Sequence, residues 1–387
     1  EYAADCLTVR DCLCHRSGLA RSDLAWARRG GTTADTAALI PHLPMAVGLR
    51  DKAVYSNIMY ALLSEIVLSA TGKPLAQNFK ELIFDPLGMR HTCCGALVAD
   101  TEITWACPYR EEEGKAIDLP LFPTDNIGGG GFVNSTSDDM LRWLEMLLAA
   151  ERGARGRAPG ARLIAPETFQ ECVSPQIRYA TLTLNWDDVF AMRSYGFGWI
   201  LETYRGRRVW RHGGGIEGFF GCALLFPDEG IGIAALTNTN GRHFCESMSF
   251  EVADRLLGVG GIDWSARLAR EREIEAARVA GLRDSDLGPA SGAERSLAPA
   301  ACCGRYTHPG FGEMRVFQRG EALWLGCAAL ELPLCHHGGD CFYLGTAELT
   351  VPATPIRFTA SGGSAVALRA VLEPMPPRDE VVFDRVS

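Results

Sequence analysis

The chain has 387 residues, 47% of them hydrophobic and 22% charged, with 38 basic against 47 acidic side chains and a formal net charge of −9. That length supports two or three domains with a sizeable core, and a mildly acidic surface argues against nucleic acid or an anionic membrane as the main partner. No apolar run reaches the roughly 18–20 residues that a spanning helix needs. Glu1 opens the chain with no charged leader before an apolar stretch, and "EYAADCLTVRDCLCHRSGL" reads as if it begins inside a domain, so a processed or partial chain is expected.

Residues 1–150 read mainly helical. Thr8–Leu13 opens a short helix that "HRSGL" ends. From Ile58 to Ala70 the apolar residues Ile58, Met59, Leu62, Leu63, Ile66, Val67 and Ala70 recur at helical spacing, which predicts one buried face stopped by Gly72 and Pro74. "LAQNFKELIF" is a second helix, expected to end at Asp85-Pro86. A third follows "GGGGFVNSTSDD", with Ser137 as expected N-cap and Met140, Trp143, Leu144, Leu147 and Leu148 on its buried side.

From about residue 190 the texture changes. "YGFGWILETY", "RRVWRHGG", "FFGCALLFPDEG" and "IGIAALTNTN" are short apolar segments split by turn residues, which predicts antiparallel strands. "FCESMSFEVADRLLG" returns to helix, and residues 264–283 form a charged one. "DSDLGPASGAERSLAPAA" has linker composition. From Cys302 onward short alternating segments predict a small β-barrel. The expected division is residues 1–258 as an α+β domain, 259–301 as charged helix and linker, and 302–387 as the barrel domain.

Fourteen cysteines include no Cys-x-x-Cys. The pairs Cys12/Cys14, Cys93/Cys94 and Cys302/Cys303 are poorly spaced for zinc, and His336-His337 beside Cys335 and Cys341 is a weak metal signal. Most are expected to be small buried hydrophobes, and so many thiols lean toward a reducing compartment. No metal or cofactor is expected. Gly213–Gly218 fits G-x-G-x-x-G but runs into a strand-like segment, whereas a dinucleotide loop must open a helix. Gly128–Gly131 lacks the Lys-Ser/Thr of a phosphate loop and reads as a tight turn.

Tyr55 and Asn57 stand at the start of the Ile58 helix. Capping explains them singly, as a polar turn explains His212. Together they suit nucleophilic catalysis. A serine nucleophile needs a base, donors for an oxyanion and a group for the substrate's carboxylate. A tyrosine at a helix start can serve as base, and a glycine-rich strand offers bare N–H groups to an extended substrate.

The chain resembles the serine β-lactamase-like hydrolases of the class C and penicillin-binding type, the CubicO group. The resemblance rests on "LTVRDCLCHRSGL" (Leu7–Leu19), "YSN" (Tyr55–Asn57), "IFDPLGMRHT" (Ile83–Thr92), "GGGGFVNSTSDDMLRWLEMLL" (Gly128–Leu148) and "RHGGGIEGFFGCALLFPDEGIGIAALTN" (Arg211–Asn238). The C-terminal β-segment resembles the lipocalin-like appendage of some members. The fold implied is a β-lactamase/transpeptidase-like α+β domain, a helical subdomain with an antiparallel sheet flanked by helices, followed by a small all-β barrel. The resemblance implies Tyr55 as general base and Asn57 as donor to the substrate amide. It implies His212 and Gly214 as a His-x-Gly variant of the third motif, with the Gly215 N–H as an oxyanion donor. Arg211, next to the motif, is expected to add positive charge for substrate binding.

The family's first motif, Ser-x-x-Lys, is absent: no serine here has lysine three residues later. Ser17 fits a loop role, and Ser56 points away if Tyr55 and Asn57 face the cleft. The expected function is acyl transfer on a D-amino-acid peptide, β-lactam or ester, with the nucleophile upstream of Glu1. The rivals are an inactive binding module using the same cleft and an interaction role for the C-terminal β-domain. A histidine at the third motif, neutral near pH 7.5, predicts tighter binding of carboxylates as pH falls toward 6.

Overall fold

The computed structural model describes residues 2–95, 105–112, 114–153, 163–179, 186, 188–287, 294–328, 330–344, 354–372 and 379–386. Contacts divide the chain into two compact units. The first comprises Glu1–Gly18, Gly30–Ala37 and Val47–Glu271; the second comprises Leu19–Arg29, Ala38–Ala46 and Arg272–Ser387.

In the first unit, α1 (Val9–Leu13), α2 (Ile58–Thr71) and α3 (Ser137–Glu151) precede a six-stranded antiparallel meander: β1 (Ile177–Arg178), β2 (Phe190–Tyr195), β3 (Ile200–Tyr204), β4 (Arg207–Ile216), β5 (Phe219–Phe226) and β6 (Ile231–Thr237). Helix α4 (Arg242–Leu256) follows, and then α5 (Trp264–Leu287), of which residues up to Glu271 belong to this unit and the rest to the second. Period-2 alternation sends Val209 and Leu224 to one face of the sheet and Trp210 and Leu225 to the other. The first face packs with Trp186, Phe250, Trp264 and Leu268, the second with Phe84, Leu144, Leu147 and Phe169. The sheet is therefore covered by helices on both faces, as expected. One carboxylate lies in the first core. Asp254 is only 4% exposed, and it accepts hydrogen bonds from the Tyr204 hydroxyl (2.5 Å), Trp264 Nε1 (3.0 Å) and Arg205 (2.9 Å), which offset the cost of burying its charge.

The helical body departs from its expected pattern in detail. α2 ends at Gly72 with φ +70, as expected. Its buried face, however, is Ile58, Met59, Ala61 and Ser64, while Ile66 and Leu68 are exposed. The reason is close packing. A Cβ on Gly128 would lie 2.4 Å from Ser64 Oγ, and that hydroxyl accepts the Gly129 N–H at 3.1 Å. Small residues on α2 admit the glycine turn, and the larger apolar residues lie outside it. The helix from Leu75 does not stop at Asp85-Pro86. It continues through a π-turn over Lys80–Phe84 and one α-turn to Gly88. The N-cap of α3 is Thr136, not Ser137, because the Thr136 hydroxyl accepts the Asp139 N–H. Five of the cysteines are buried, eight half-buried and Cys107 exposed, so burial is less general than expected.

In the second unit, β7 (Gly304–His308), β8 (Gly312–Arg319), β9 (Ala322–Cys327), β10 (Leu330–Gly338), β11 (Cys341–Leu344), β12 (Pro355–Ser361), β13 (Ser364–Val371) and β14 (Glu380–Arg385) close into an antiparallel barrel. Alternate side chains such as Met314, Val316, Leu323, Leu325, Leu368 and Phe383 fill its interior. Arg29, from the Leu19–Arg29 segment of this unit, hydrogen-bonds the Phe311 carbonyl. His336 Nε2 donates to the Gly339 carbonyl at 2.8 Å. Among the described residues, no three His, Cys, Asp or Glu side chains gather as metal ligands, and no helix is long and apolar enough to cross a membrane.

One apolar surface stands out. α4 exposes Phe244 (60%), Met248 (45%), Val252 (37%) and Leu256 (59%) in a single four-residue row, and Leu236 on the edge strand β6 is 43% exposed. A sheet edge that carries no further strand among the described residues, with an apolar row on the neighbouring helix, promotes association. Light scattering of the 387-residue chain is expected to show concentration-dependent assembly that a Phe244→Glu/Met248→Lys variant lacks. Equal scattering from both would contradict this role.

Candidate active site

The register of β4 creates the opening. Its ladder with β3 ends at Ile200↔Arg211, whereas its ladder with β5 runs on to Ile216↔Phe219. Gly213, Gly214 and Gly215 are therefore exposed and, among the described residues, paired on one edge only. Side chains here would obstruct. A Cβ on Gly215 would stand 3.0 Å from the Phe220 ring, and one on Gly214 would project into open space. The Gly213–Gly218 segment turns a hairpin between two strands, so it opens no helix and forms no dinucleotide loop. Gly218 has φ +79, and a Cβ there would lie 2.3 Å from Pro108.

Tyr55, Asn57 and His212 come from distant parts of the chain. Asn57 has helical dihedrals (φ −65, ψ −30) and makes no side-chain cap, so capping does not account for it. Its carbonyl accepts the Tyr60 N–H at 2.9 Å. The glycine turn packs closely here: a Cβ on Gly130 would lie 3.2 Å from the Asn57 oxygen. The Tyr55 ring lies 6.1 Å from the His212 ring, centroid to centroid. Ser56 is fully buried, with an Oγ that has no hydrogen-bond partner, and Ser17 is 4% exposed. Neither offers an accessible nucleophile.

Arg211 is not brought to the cleft. Alternation along β4 sends it to the opposite face from His212. There its guanidinium pairs with the buried Glu202 at 2.7 Å and lies 5.1 Å from the Phe190 ring centroid. The positive charge expected from it neutralises a buried carboxylate instead.

Three residues that sequence patterns did not single out surround the candidates. His15 packs 4.2 Å from Tyr55, 5.2 Å from Tyr60 and 4.9 Å from Tyr195, by ring centroids. The Tyr195 hydroxyl is 3.0 Å from His212 Nε2, and the Tyr60 hydroxyl donates to the Leu13 carbonyl at 2.7 Å. Burial pushes the pKa of both hydroxyls, Tyr60 and Tyr195, well above the ordinary phenol value. Their only sequence signal was proximity to motifs: His15 begins "HRSGL", and Tyr195 begins "YGFGW".

The segment carrying His15 is anchored by Asp11, whose side chain is fully buried. Burial would raise the Asp11 pKa. Hydrogen bonds from Arg50 (2.8 and 3.0 Å), Thr8 (2.6 Å) and Arg16 (2.5 Å) outweigh that effect and hold the carboxyl well below its usual range. Gly18 closes the segment. At φ +82, its missing Cβ would lie 2.5 Å from the Val47 carbonyl oxygen.

His212 is held neutral. Burial, then the Arg211 charge, lowers its pKa to about 4. The expected strengthening of carboxylate binding toward pH 6 is therefore displaced to about pH 4. Between about 4 and the ordinary value of about 6.5, the unfolded chain binds a proton here that the folded chain does not. Stability contributed by this group is thus intact above pH 6.5 and lost as pH falls toward 4. The His212 imidazole signal in NMR should titrate near pH 4, and His212→Gln should reduce the fall in melting temperature between pH 7 and 5. A midpoint near 6.5 would contradict the burial argument.

The chain is similar to known proteins over most of its length. The Beta-lactamase family model matches residues 1–255. The unguisins hydrolase ungD' of Aspergillus campestris is 24% identical over 330 residues, covering 82% of this chain and 59% of that protein. The D-alanyl-D-alanine-carboxypeptidase/endopeptidase AmpH of Escherichia coli K12 is 26% identical over 217 residues, covering 54% of this chain and 51% of that protein. The chain thus spans between half and three fifths of the length of these relatives. Among solved structures, the octameric penicillin-binding protein homologue from Pyrococcus abyssi is similar with a TM-score of 0.57 at 20% identity, covering 97% of this chain and 78% of that one; at that identity the likeness concerns the fold. With the match running through the helical body, the six-stranded sheet and most of α4, the chain belongs to the beta-lactamase family of serine hydrolases, whose members include D-peptidases.

Proposed function

We propose that this chain carries the general base, the amide-binding side chain and the oxyanion strand of a hydrolase that works through an acyl-enzyme on amides or esters, D-amino-acid peptides foremost. Tyr55 takes the proton from the attacking serine and returns it to the leaving group. Asn57 hydrogen-bonds the substrate amide. The substrate's main chain lies along the open edge at Gly213–Gly215, where the Gly214 position leaves room and the Gly215 N–H faces the developing oxyanion. The neutral His212 donates or accepts a hydrogen bond rather than supplying a fixed charge. The observation that carries this reading is the approach of Tyr55 and His212, rings 6.1 Å apart, beside a glycine edge that no described residue pairs on its β3 side. The D-peptidase relative supports the substrate class.

The serine is the part that residues 1–387 do not contain. Ser-x-x-Lys is absent, and we propose that a segment upstream of Glu1 provides it. The same absence favours a second reading, a binding module that holds peptides in this cleft without cleaving them.

A fluorophosphonate or penicillin probe separates the two. Residues 1–387 alone should not be labelled. A chain extended upstream of Glu1 to include Ser-x-x-Lys should be labelled on that one serine. In the extended chain Tyr55→Phe keeps the ring and removes the base, so turnover should fall about 10²–10⁴-fold with little change in melting temperature. Labelling of residues 1–387, or full activity of Tyr55→Phe, would overturn the assignment. An extended chain that is never labelled but binds D-alanyl-D-alanine would establish the binding module.

A further inference from the structure

We infer that His15 is a positioning residue that sets Tyr55 in place; the inference deepens the reading of Tyr55 as base and rests on it for its catalytic meaning. His15 is 1% exposed and adopts a left-handed backbone, φ +55. Residues other than glycine take that conformation uncommonly, asparagine, aspartate and histidine more often than the rest, and where it persists the surroundings support it.

The surroundings here are the backbone N–H groups of Val54 and Ser56, the residues before and after Tyr55. The Val54 N–H donates to the His15 carbonyl at 2.8 Å, and the Ser56 N–H donates to His15 Nδ1 at 3.2 Å. One residue thus takes the backbone donors immediately before and after Tyr55 and leaves that segment a single course. The His15 ring then lies against the Tyr55 ring, centroids 4.2 Å apart at 40°. A backbone N–H can only donate, so Nδ1 is the acceptor and the ring carries its proton on Nε2. On its other side His15 meets Tyr195 edge-on at 4.9 Å, and Tyr195 reaches His212 Nε2. The base and the third-motif histidine are therefore both referenced to one buried ring.

The left-handed backbone and the acceptor can be separated by substitution. His15→Asn tolerates φ > 0 and places its side-chain oxygen near the Nδ1 position, but it removes the ring. His15→Gly tolerates φ > 0 and removes both acceptor and ring. The test uses the 387-residue chain labelled with ¹³Cζ-tyrosine and ¹⁵N, with the Tyr55 signal assigned by Tyr55→Phe. In His15→Gly the Ser56 amide should exchange about a hundredfold faster and the Tyr55 signal should broaden or move toward that of a free phenol. In His15→Asn the Ser56 amide should stay protected while the Tyr55 signal shifts only by loss of the ring. A folded His15→Gly chain with the parent's Ser56 exchange and Tyr55 signal would overturn the inference. If His15→Gly does not fold, His15→Asn decides: a protected Ser56 amide supports the role and an exposed one refutes it. These signals report placement, not chemistry. A Tyr55→Phe substitution silent in hydrolysis would defeat the catalytic reading and leave them unchanged.

Discussion

The ladder between β3 and β4 stops at Ile200↔Arg211, and the rest of the first unit is arranged around that stop. Upstream of it β4 is a central strand bonded on both edges, with Val209 and Trp210 buried on its two faces. Downstream it keeps β5 but loses β3. The change of residue type follows the change of environment: Val209 and Trp210 fill two cores, whereas Gly213–Gly215 carry no side chains where the edge opens. A strand cannot shift its register by one residue without exchanging its faces. Trp210 in one core and the Arg211–Glu202 pair on the other side therefore also determine which way His212 points.

The other wall of the cleft depends on close approach rather than on bulk. Ser64, Gly128 and Gly130 let the turn after Ile127 sit against the start of α2, and Gly18 lets the His15 segment pass the Val47 carbonyl. The Asp11 carboxylate, neutralised by Arg16 and Arg50, ties α1 to the chain on both sides of the intervening segment. The Asp11 side chain is fully buried, and a buried carboxylate left without its partners is costly, so a cluster of this kind is suited to holding a loop against thermal motion. Tyr55 projects from this braced segment toward His212, which the sheet presents from the opposite side. Two side chains more than 150 residues apart in sequence are thereby held in one place by independent supports.

Local signals in the sequence were legible where local physics decides. Gly72 ended α2, the turn residues separated the strands of the meander, and alternating residues after Cys302 marked the barrel. Details set by packing were not legible. The buried face of α2 follows Ala61 and Ser64, because a glycine turn from 64 residues away needs room, and an apolar count favours Leu62, Leu63 and Ile66 instead. Arg211 stood beside the motif in sequence but on the other face of the strand, a consequence of alternation that becomes definite once Glu202 is placed. His15 and Tyr195 carried no sequence pattern of their own. Their significance comes from contacts with Ser56 and His212 that only the fold creates. Tyr55, Asn57 and His212 were found through motif resemblance, and the structure brings Tyr55 and His212 together at the glycine edge.

The account makes the edge at Gly213–Gly215 the place where substrate lies. A crystal structure of the 387-residue chain with D-alanyl-D-alanine bound tests this most directly. The account predicts a peptide extended antiparallel to β4, hydrogen-bonded to the backbone of Gly213–Gly215, with its amide within about 3.5 Å of the Tyr55 hydroxyl or the Asn57 side chain. A peptide bound elsewhere, with that edge and Tyr55 left untouched, would contradict it.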